Sequence, residues 1–416
     1  MKKILFYNHT GQISGAERVL LMILERLDRS RLEPVVLCPA SGRLMRMTTD
    51  LGIKTVGLDP LAARFTWRPD RLIRYVASFV RVIRAARAAV VKEAPDIIHA
   101  NSIRAGLAMS AATVGLGMPV VWHAHDLLPR HPLSTMIRLF ACASRRNQIV
   151  AISRAVAARF GGIPLRWCPR RVPLTTILNA VDLKRFQPDS ASRQEIRRAL
   201  KVAEIDLLVG TVGQLTPRKG QHELIQAFAE VALAIPNAML LIVGEPLFNR
   251  DTDYAHSLIR VANSLGVTDR IRFLGPREDV PAIMRALDLL VVNSRVEPFG
   301  LTVVEAMASG TPVLATAVDG ITEIVSHGED GWLVQARDHD ALVKAMLTLL
   351  RDDGLRAELG RKGRRQANAR FSIERFLREV EEFYTTVLNG GGMADQGSRD
   401  LEIRLDGMKS ATFLGP

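Results

Sequence analysis

The stretch Leu287–Ala317 reads LDLLVVNSRVEPFGLTVVEAMASGTPVLATA, and it decides the fold. It opens on "LDLLVVNS", a short apolar run with polar ends, which is the pattern of a strand buried on both faces. In "RVEPFG" that follows, Pro298 and Gly300 suit neither a helix interior nor a strand, so this is a loop at the strand's carboxyl end. Thr302–Ser309 then reads as a helix, stopped by Gly310 with Pro312 beyond. "TPVLATA" is a second buried run. Strand, loop, helix and strand in this order build one unit of a parallel sheet with a helix on its face.

Outward from this unit the theme repeats. Upstream, "DLLVGTVG", "AMLLIVG" and "RIRFLG" are further strands with helices between them. A polar, charged pause covers Asn179 to Asp206. Before it come "KKILFYN", "LEPVVLCP", "PDIIHANS", "PVVWHAHD" and "NQIVAIS", again separated by helical patterns. One of these helices, about Pro69–Lys92, carries Leu72, Val76, Phe79, Ile83, Ala86 and Val90 along one stripe, with Arg71, Arg74, Arg81 and Arg84 away from it. The expectation is α/β: two doubly wound Rossmann-like domains facing each other across a cleft, with ligands beyond the carboxyl ends of the strands. Residues 1–185 form the first domain and 186–370 the second. A last helix, 371–388, crosses back to the first domain, and a glycine-rich tail, 389–416, is disordered.

Composition narrows the function class. The 416 residues are 48% hydrophobic, enough for two cores, and three cysteines (Cys38, Cys142, Cys168) form neither a disulfide framework nor a zinc spacing. The amino terminus lacks the apolar core of a signal peptide, and no apolar run is long enough to span a membrane. These features predict a soluble cytoplasmic protein, at most peripheral on a membrane. The net charge of +13 is concentrated at the front: residues 1–188 hold 29 Lys and Arg against 11 Asp and Glu, and the remainder 27 against 32. A basic front half suits nucleic acid, an anionic membrane surface or an anionic substrate, or is simply a solvated basic face. With only 5% aromatic residues and no stacking motif, nucleic acid is the weakest of these.

The loop after "LDLLVVNS" carries the chemistry. The amides of Phe299, Gly300, Leu301 and Thr302 lie at a helix N-terminus, a natural anion site, and Gly300 lets a diphosphate approach the backbone. Glu297 lies beside that anion and Glu305 about one turn inside the helix, where ionised carboxylates accept hydrogen bonds from sugar and ribose hydroxyls. In "GTVGQLTPRKG", Arg218 and Lys219 sit on a turn at another strand end, where cations neutralise a leaving diphosphate. Gly15 opens the first helix. His123 and His125 share one face of a strand end, as metal ligands, substrate contacts or core histidines, and metal is the least favoured of the three. Asp251 and Asp253 in "RDTDY" imitate a metal motif but are better explained by helix capping.

In chain order, "SGAERV", "PDIIHANS", "WHAHD", "VAISRAV", "ILNAVDLKRFQP", "RKG", "LLIVGE", "RIRFLG", "EPFGLTVVEAMASGTPV", "DGITEIV" and "DGWLV" resemble the retaining glycosyltransferases of family 4, which have the GT-B fold. The likeness spans all but the tail after about Leu388. It implies that Glu297 contacts the transferred sugar and Glu305 the nucleotide ribose. It also implies that the amides of Phe299 to Thr302 hold the sugar and diphosphate, and that Lys219 neutralises the diphosphate as it leaves. Gly15 lets the first loop approach donor or acceptor, His125 sits beside the reacting sugar, and the base stacks near "RIRFLG". Neither a metal nor another cofactor is expected. Two positions depart from the pattern: Gln214 stands where arginine is common, with Arg218 supplying charge from another direction, and Ser14 precedes Gly15 where a second glycine is common.

The function this predicts is transfer of a sugar from a nucleotide-diphosphate sugar to a glycan or lipid-linked acceptor, in cell-envelope or exopolysaccharide synthesis. The competing readings are a nucleotide-sugar isomerase or phosphorylase on the same fold, and a basic membrane-surface scaffold without catalysis. No lysine stands in a context that suggests a pyridoxal phosphate Schiff base, which argues against the phosphorylase.

Overall fold

The protein is described here from a computed structural model covering residues 1–61, 69–161, 172–247 and 251–390. The chain divides into two compact units, Asn179–Phe376 and Met1–Leu178 with the chain from Leu377 onward. The division falls before the polar stretch rather than inside it. Part of the expected disordered tail, residues 391–416, lies outside the described residues, as do Cys168 and the side chain of Arg71.

The first unit is built on seven strands: β1 (Lys2–Tyr7), β2 (Leu32–Pro39), β3 (Lys54–Leu58), β4 (Ile97–Ala100), β5 (Val120–Ala124), β6 (Asn147–Ala151) and β7 (Leu174–Thr176). Their order is β3-β2-β1-β4-β5-β6-β7, and every pairing is parallel. The chain reverses its direction of travel across the sheet between β1 and β4, which is the switch point where such sheets bind ligands. β1, β4 and β5 are buried over almost their whole length, so their apolar runs are continuous rather than alternating.

The second unit has β8 (Leu207–Val212), β9 (Ala238–Val243), β10 (Ile271–Gly275), β11 (Leu289–Val292), β12 (Val313–Thr316) and β13 (Trp332–Val334), in the order β10-β9-β8-β11-β12-β13. Here too all pairs are parallel, and the switch point lies between β8 and β11. Its core packs Leu240, Ile242 and Val291 from the sheet against Phe228, Met346 and Leu349 from the helices. All ten strands expected from apolar runs are present. The three additional ones, β3, β7 and β13, each lie at a sheet edge. Their residues are mostly half-buried, so they lack the continuous apolar run that marks a central strand.

One correction concerns a helix. Helix Pro69–Glu93 buries Val82, Ala86 and Val90, but Val76, expected on the core stripe, is 55% exposed. The polar stretch carries a helix, Ser190–Ala199, which is seated in the second unit by Asp288, the acceptor from Arg193 Nη2 at 2.5 Å and from Arg197 Nη1 at 3.0 Å. The same carboxylate accepts the Leu208 N–H at 2.7 Å, anchoring the start of β8. The last helix, Ile373–Leu388, begins among the residues of the second unit and from Leu377 belongs to the first.

Candidate active site

In the second unit, the ends of β8 and β11 bring the predicted donor residues together. The loop Asn293–Gly300 leaves β11 and enters helix Leu301–Ala308, one residue earlier than the sequence suggested. Gly300 takes φ 114°, a left-handed value that costs glycine least, and so turns the chain into the helix. The helical bonding begins with Val303 N–H donating to Gly300 O at 3.0 Å, which leaves Leu301 and Thr302 in the first turn with their amides at the N-terminal end. Phe299 is buried against Phe371, with ring centroids 5.9 Å apart, and fixes the loop from behind. Glu305 lies one turn into the helix and is buried.

Glu297 is the centre of this cluster. It is buried, its carboxylate pairs with Lys219 Nζ, and it accepts from Ser294 Oγ at 3.2 Å. Its backbone is held as well: its N–H donates to Asp319 Oδ2 at 3.2 Å, and its carbonyl accepts from Gly320 N–H at 3.0 Å. Burial by itself would push the Glu297 carboxyl up. The Lys219 ammonium and its hydrogen bond, helped by Arg218 and Ser294, outweigh that and hold it below the usual carboxylate range. Glu297 is therefore ionised, next to a cation 78 residues away in the chain.

The turn carrying Lys219 is itself locked to the β11 loop. Lys219 closes the short 3₁₀ turn Pro217–Lys219, Arg218 Nη1 donates to Val296 O at 3.0 Å, and Arg295 N–H donates to Arg218 O at 2.8 Å. Arg218 thus lies on the Glu297 loop. Gln214 is half-buried at the end of β8, and its backbone carbonyl accepts from Gln221 Nε2 at 2.8 Å. Beside it, Gly244 at the end of β9 has φ 137°, and a Cβ there would come within 1.8 Å of Gly213 O. This glycine contact at the strand ends was not singled out in the sequence; the recurrence of glycine after both apolar runs was its only trace.

In the first unit, the predicted residues Gly15 and His125 lie at the carboxyl ends of β1 and β5. Gly15 is the exposed first residue of helix Gly15–Arg26, and Ser14 caps that helix together with Glu17, which accepts the Ser14 N–H at 2.9 Å. In the same loop, a Cβ at Gly11 would lie 2.2 Å from Ser41 O. Glu17 is buried and also accepts from Asn8 Nδ2 at 3.1 Å. Asn101 Nδ2 donates to Asn8 Oδ1 at 3.0 Å, and Asn101 Oδ1 is 3.0 Å from His125 Nε2. Asn8, Glu17 and Asn101 thus form a polar network behind His125 that sequence reasoning missed. The tetrapeptide "SGAE", with its capping-box spacing, was the available signal.

His123 and His125 are both buried and neutral. Burial lowers His123 to about 3, and burial reinforced by His123 and His99 lowers His125 well below its ordinary value. Among the described residues no three His, Cys, Asp or Glu side chains stand together as a metal site. Asp251 occupies the N-cap of helix Thr252–Ser264 with φ 59° but makes no side-chain cap bond, so the capping expected of it is positional only. β10, near which the base was expected, turns Phe273 against the core of the second unit.

Comparison with known proteins bears on the family and the fold. The profile described as "Glycosyltransferase Family 4" matches residues 13–185, and that described as "Glycosyl transferases group 1" matches residues 192–366. The chain is 29% identical over 420 residues to the D-inositol 3-phosphate glycosyltransferase of Salinispora arenicola, covering 95% of this chain and 91% of that one. It is 30% identical over 291 residues to the lipopolysaccharide core biosynthesis mannosyltransferase LpsB of Rhizobium meliloti, covering 64% of this chain and 80% of that one. The Anabaena Alr3699/HepE structure in complex with UDP and glucose superposes with a TM-score of 0.78 at 28% identity, covering 93% of this chain and all of that one. With two Rossmann-like units and the glutamate loop built as described, this chain belongs to glycosyltransferase family 4 and is a glycosyltransferase of the GT-B fold.

Proposed function

We propose that the protein transfers a hexosyl group from a UDP-sugar, with retention at the anomeric carbon, to a glycan or lipid-linked acceptor of cell-envelope or exopolysaccharide synthesis. The observation that carries this reading is the Lys219–Glu297 pair at the mouth of helix Leu301–Ala308. A nucleotide diphosphate leaves with added negative charge. Lys219, Arg218 and the amides of Phe299 to Thr302 supply a fixed positive field for it, so no divalent ion is required. Glu297, kept ionised by Lys219, accepts hydrogen bonds from the transferred sugar, and Glu305 accepts from the ribose. Gln214 lines the diphosphate side of the donor site, and Gly15 and His125 serve the substrate from the first unit. The acceptor hydroxyl attacks the anomeric carbon as the bond to the phosphate breaks, and the leaving phosphate oxygen takes its proton. UDP is favoured over other nucleotides because structures of Alr3699/HepE hold UDP and UDP-glucose.

Two exposed apolar stripes support an anionic membrane as the place of work. Ile73, Val76 and Val80 lie on helix Pro69–Glu93, and Leu133, Met136 and Phe140 on helix Pro132–Ala143, each at i, i+3, i+7. Helix Ile103–Ala112 packs against both of these helices. Exposed Arg84, Arg130, Arg145 and Arg146 lie on the same helices or next to them. Arg81, on the first of these helices, is 3.6 Å from Asp59. Such a mixture of apolar anchors and arginines suits a surface-bound position.

The test is thermal unfolding with UDP, GDP and ADP, with and without a chelator. UDP at 100 times its Kd is expected to stabilise by about 2.7 kcal/mol, unchanged by the chelator. Glu297→Gln is expected to keep that stabilisation and lose roughly 100-fold or more in turnover. Near-normal transfer by this variant removes Glu297 from its role.

A further inference from the structure

Behind His125 runs a chain of buried rings that the proposed chemistry does not use. Tyr384, on helix Ile373–Leu388, has its hydroxyl 2.7 Å from His99 Nδ1. His99 Nε2, on β4, is 3.2 Å from His123 Nδ1 on β5. His123 then packs on His125, with ring centroids 4.1 Å apart and planes at 45°. All four rings are buried, and His123 Nε2 has no hydrogen-bond partner among the described residues.

The direction of this chain follows from counting partners. If the Tyr384 hydroxyl donates to His99, then His99 Nε2–H donates to His123 Nδ1, and a single group, His123 Nε2–H, is left unpaired. Run the other way, both the Tyr384 hydroxyl proton and the bare His123 Nε2 are left unpaired in the core. The first arrangement is favoured because each unpaired buried group is a penalty. Burial keeps the phenol protonated and the imidazoles neutral, consistent with that direction. On the far side, Asn101 Nδ2 donates to Asn8 Oδ1 and Ala16 O, so Asn101 Oδ1 must accept from His125 Nε2–H. His125 is thereby left with its lone pair on Nδ1, the ring held between Asn101 and His123.

We infer that Tyr384 is a positioning residue for the transfer reaction: through His99 and His123 it fixes the ring against which His125 is oriented to meet a sugar hydroxyl. The inference rests on the proposed role of His125 as a substrate contact. Apolar side chains would fill this core without an unpaired N–H, so the presence of three imidazoles and a phenol points to orientation rather than packing.

The experiment compares wild type with Tyr384→Phe, which removes one oxygen. Nitrogen-15 NMR of the imidazoles is expected to show His99 and His123 as Nε2–H tautomers in wild type. In the variant the His99 tautomer and the His125 resonances should both change. kcat is expected to fall about tenfold, while KM for the nucleotide sugar and the UDP stabilisation, which depend on the second unit, stay put. Unchanged His125 resonances overturn the inference, as does an unchanged kcat with altered tautomers. If wild type transfers no sugar at all, the glycosyltransferase reading has failed and the NMR comparison still decides the positioning. Should Tyr384→Phe not fold, His99→Gln, able to bridge both partners, is expected to keep more kcat than His99→Leu. Equal loss in the two overturns the inference.

Discussion

Lys219 sets the charge on Glu297. The carboxylate is buried deeply enough that desolvation would raise its pKa, and the adjacent ammonium, helped by Arg218 and Ser294, reverses the sign. The folded value is therefore depressed, and the pair stabilises the fold at pH above the unfolded carboxylate range of about 4.3. That contribution is lost as pH falls through the depressed folded value. Lys219→Met is accordingly expected to lower the unfolding temperature more at pH 7 than at pH 3, because protonated Glu297 no longer needs the cation. A difference independent of pH would mean that the carboxylate is not the partner. Both residues were legible in the sequence from their strand-end loops, but their pairing was not, since 78 residues separate them. Asp319 was not legible either. It takes φ 39° and caps the Glu297 N–H, a role that depends on a backbone conformation no spacing announces.

At the scale of elements, the polar stretch between the two apolar series shows where composition misleads. Its charges mark a pause between two series of strands, yet Arg197 is 5% exposed and shares Asp288 with Arg193. A carboxylate that receives two guanidinium groups and a backbone N–H is a joint between helix Ser190–Ala199 and β8. Removing it strands a buried cation, so Asp288→Ala is expected to cost about 3–5 kcal/mol in denaturant unfolding. A loss below about 1 kcal/mol would return the stretch to the status of an exposed surface pair. The central strands were readable because parallel strands covered on both faces must be apolar throughout. The edge strands β3, β7 and β13 were not, because an edge is half solvated and tolerates polar residues.

For the molecule as a whole, no helix among the described residues is long and apolar enough to cross a membrane; the proposed membrane position rests on the exposed stripes. Met136 is 61% exposed and Ile73 70%. The double change Ile73→Glu with Met136→Glu is expected to abolish co-sedimentation with anionic vesicles at low salt while leaving UDP stabilisation intact. Equal sedimentation of the variant would remove the stripes from that role. Arginine-to-glutamine changes at Arg84 and Arg145 should weaken binding more at low salt than at high salt, because surface charge is screened over about 10 Å at 0.1 M ionic strength.

The sequence by itself determined that there are two doubly wound units, because hydrophobic burial on both sheet faces writes an apolar run for every central strand. It also determined which loops carry the chemistry, because proline, glycine and paired charges at strand ends have few structural uses. Only the tertiary structure decided that Lys219 meets Glu297, that Arg197 meets Asp288, and that Tyr384, His99 and His123 form one chain. These are contacts between distant segments. They depend on strand order and helix seating, which follow from how the whole chain packs rather than from any local pattern.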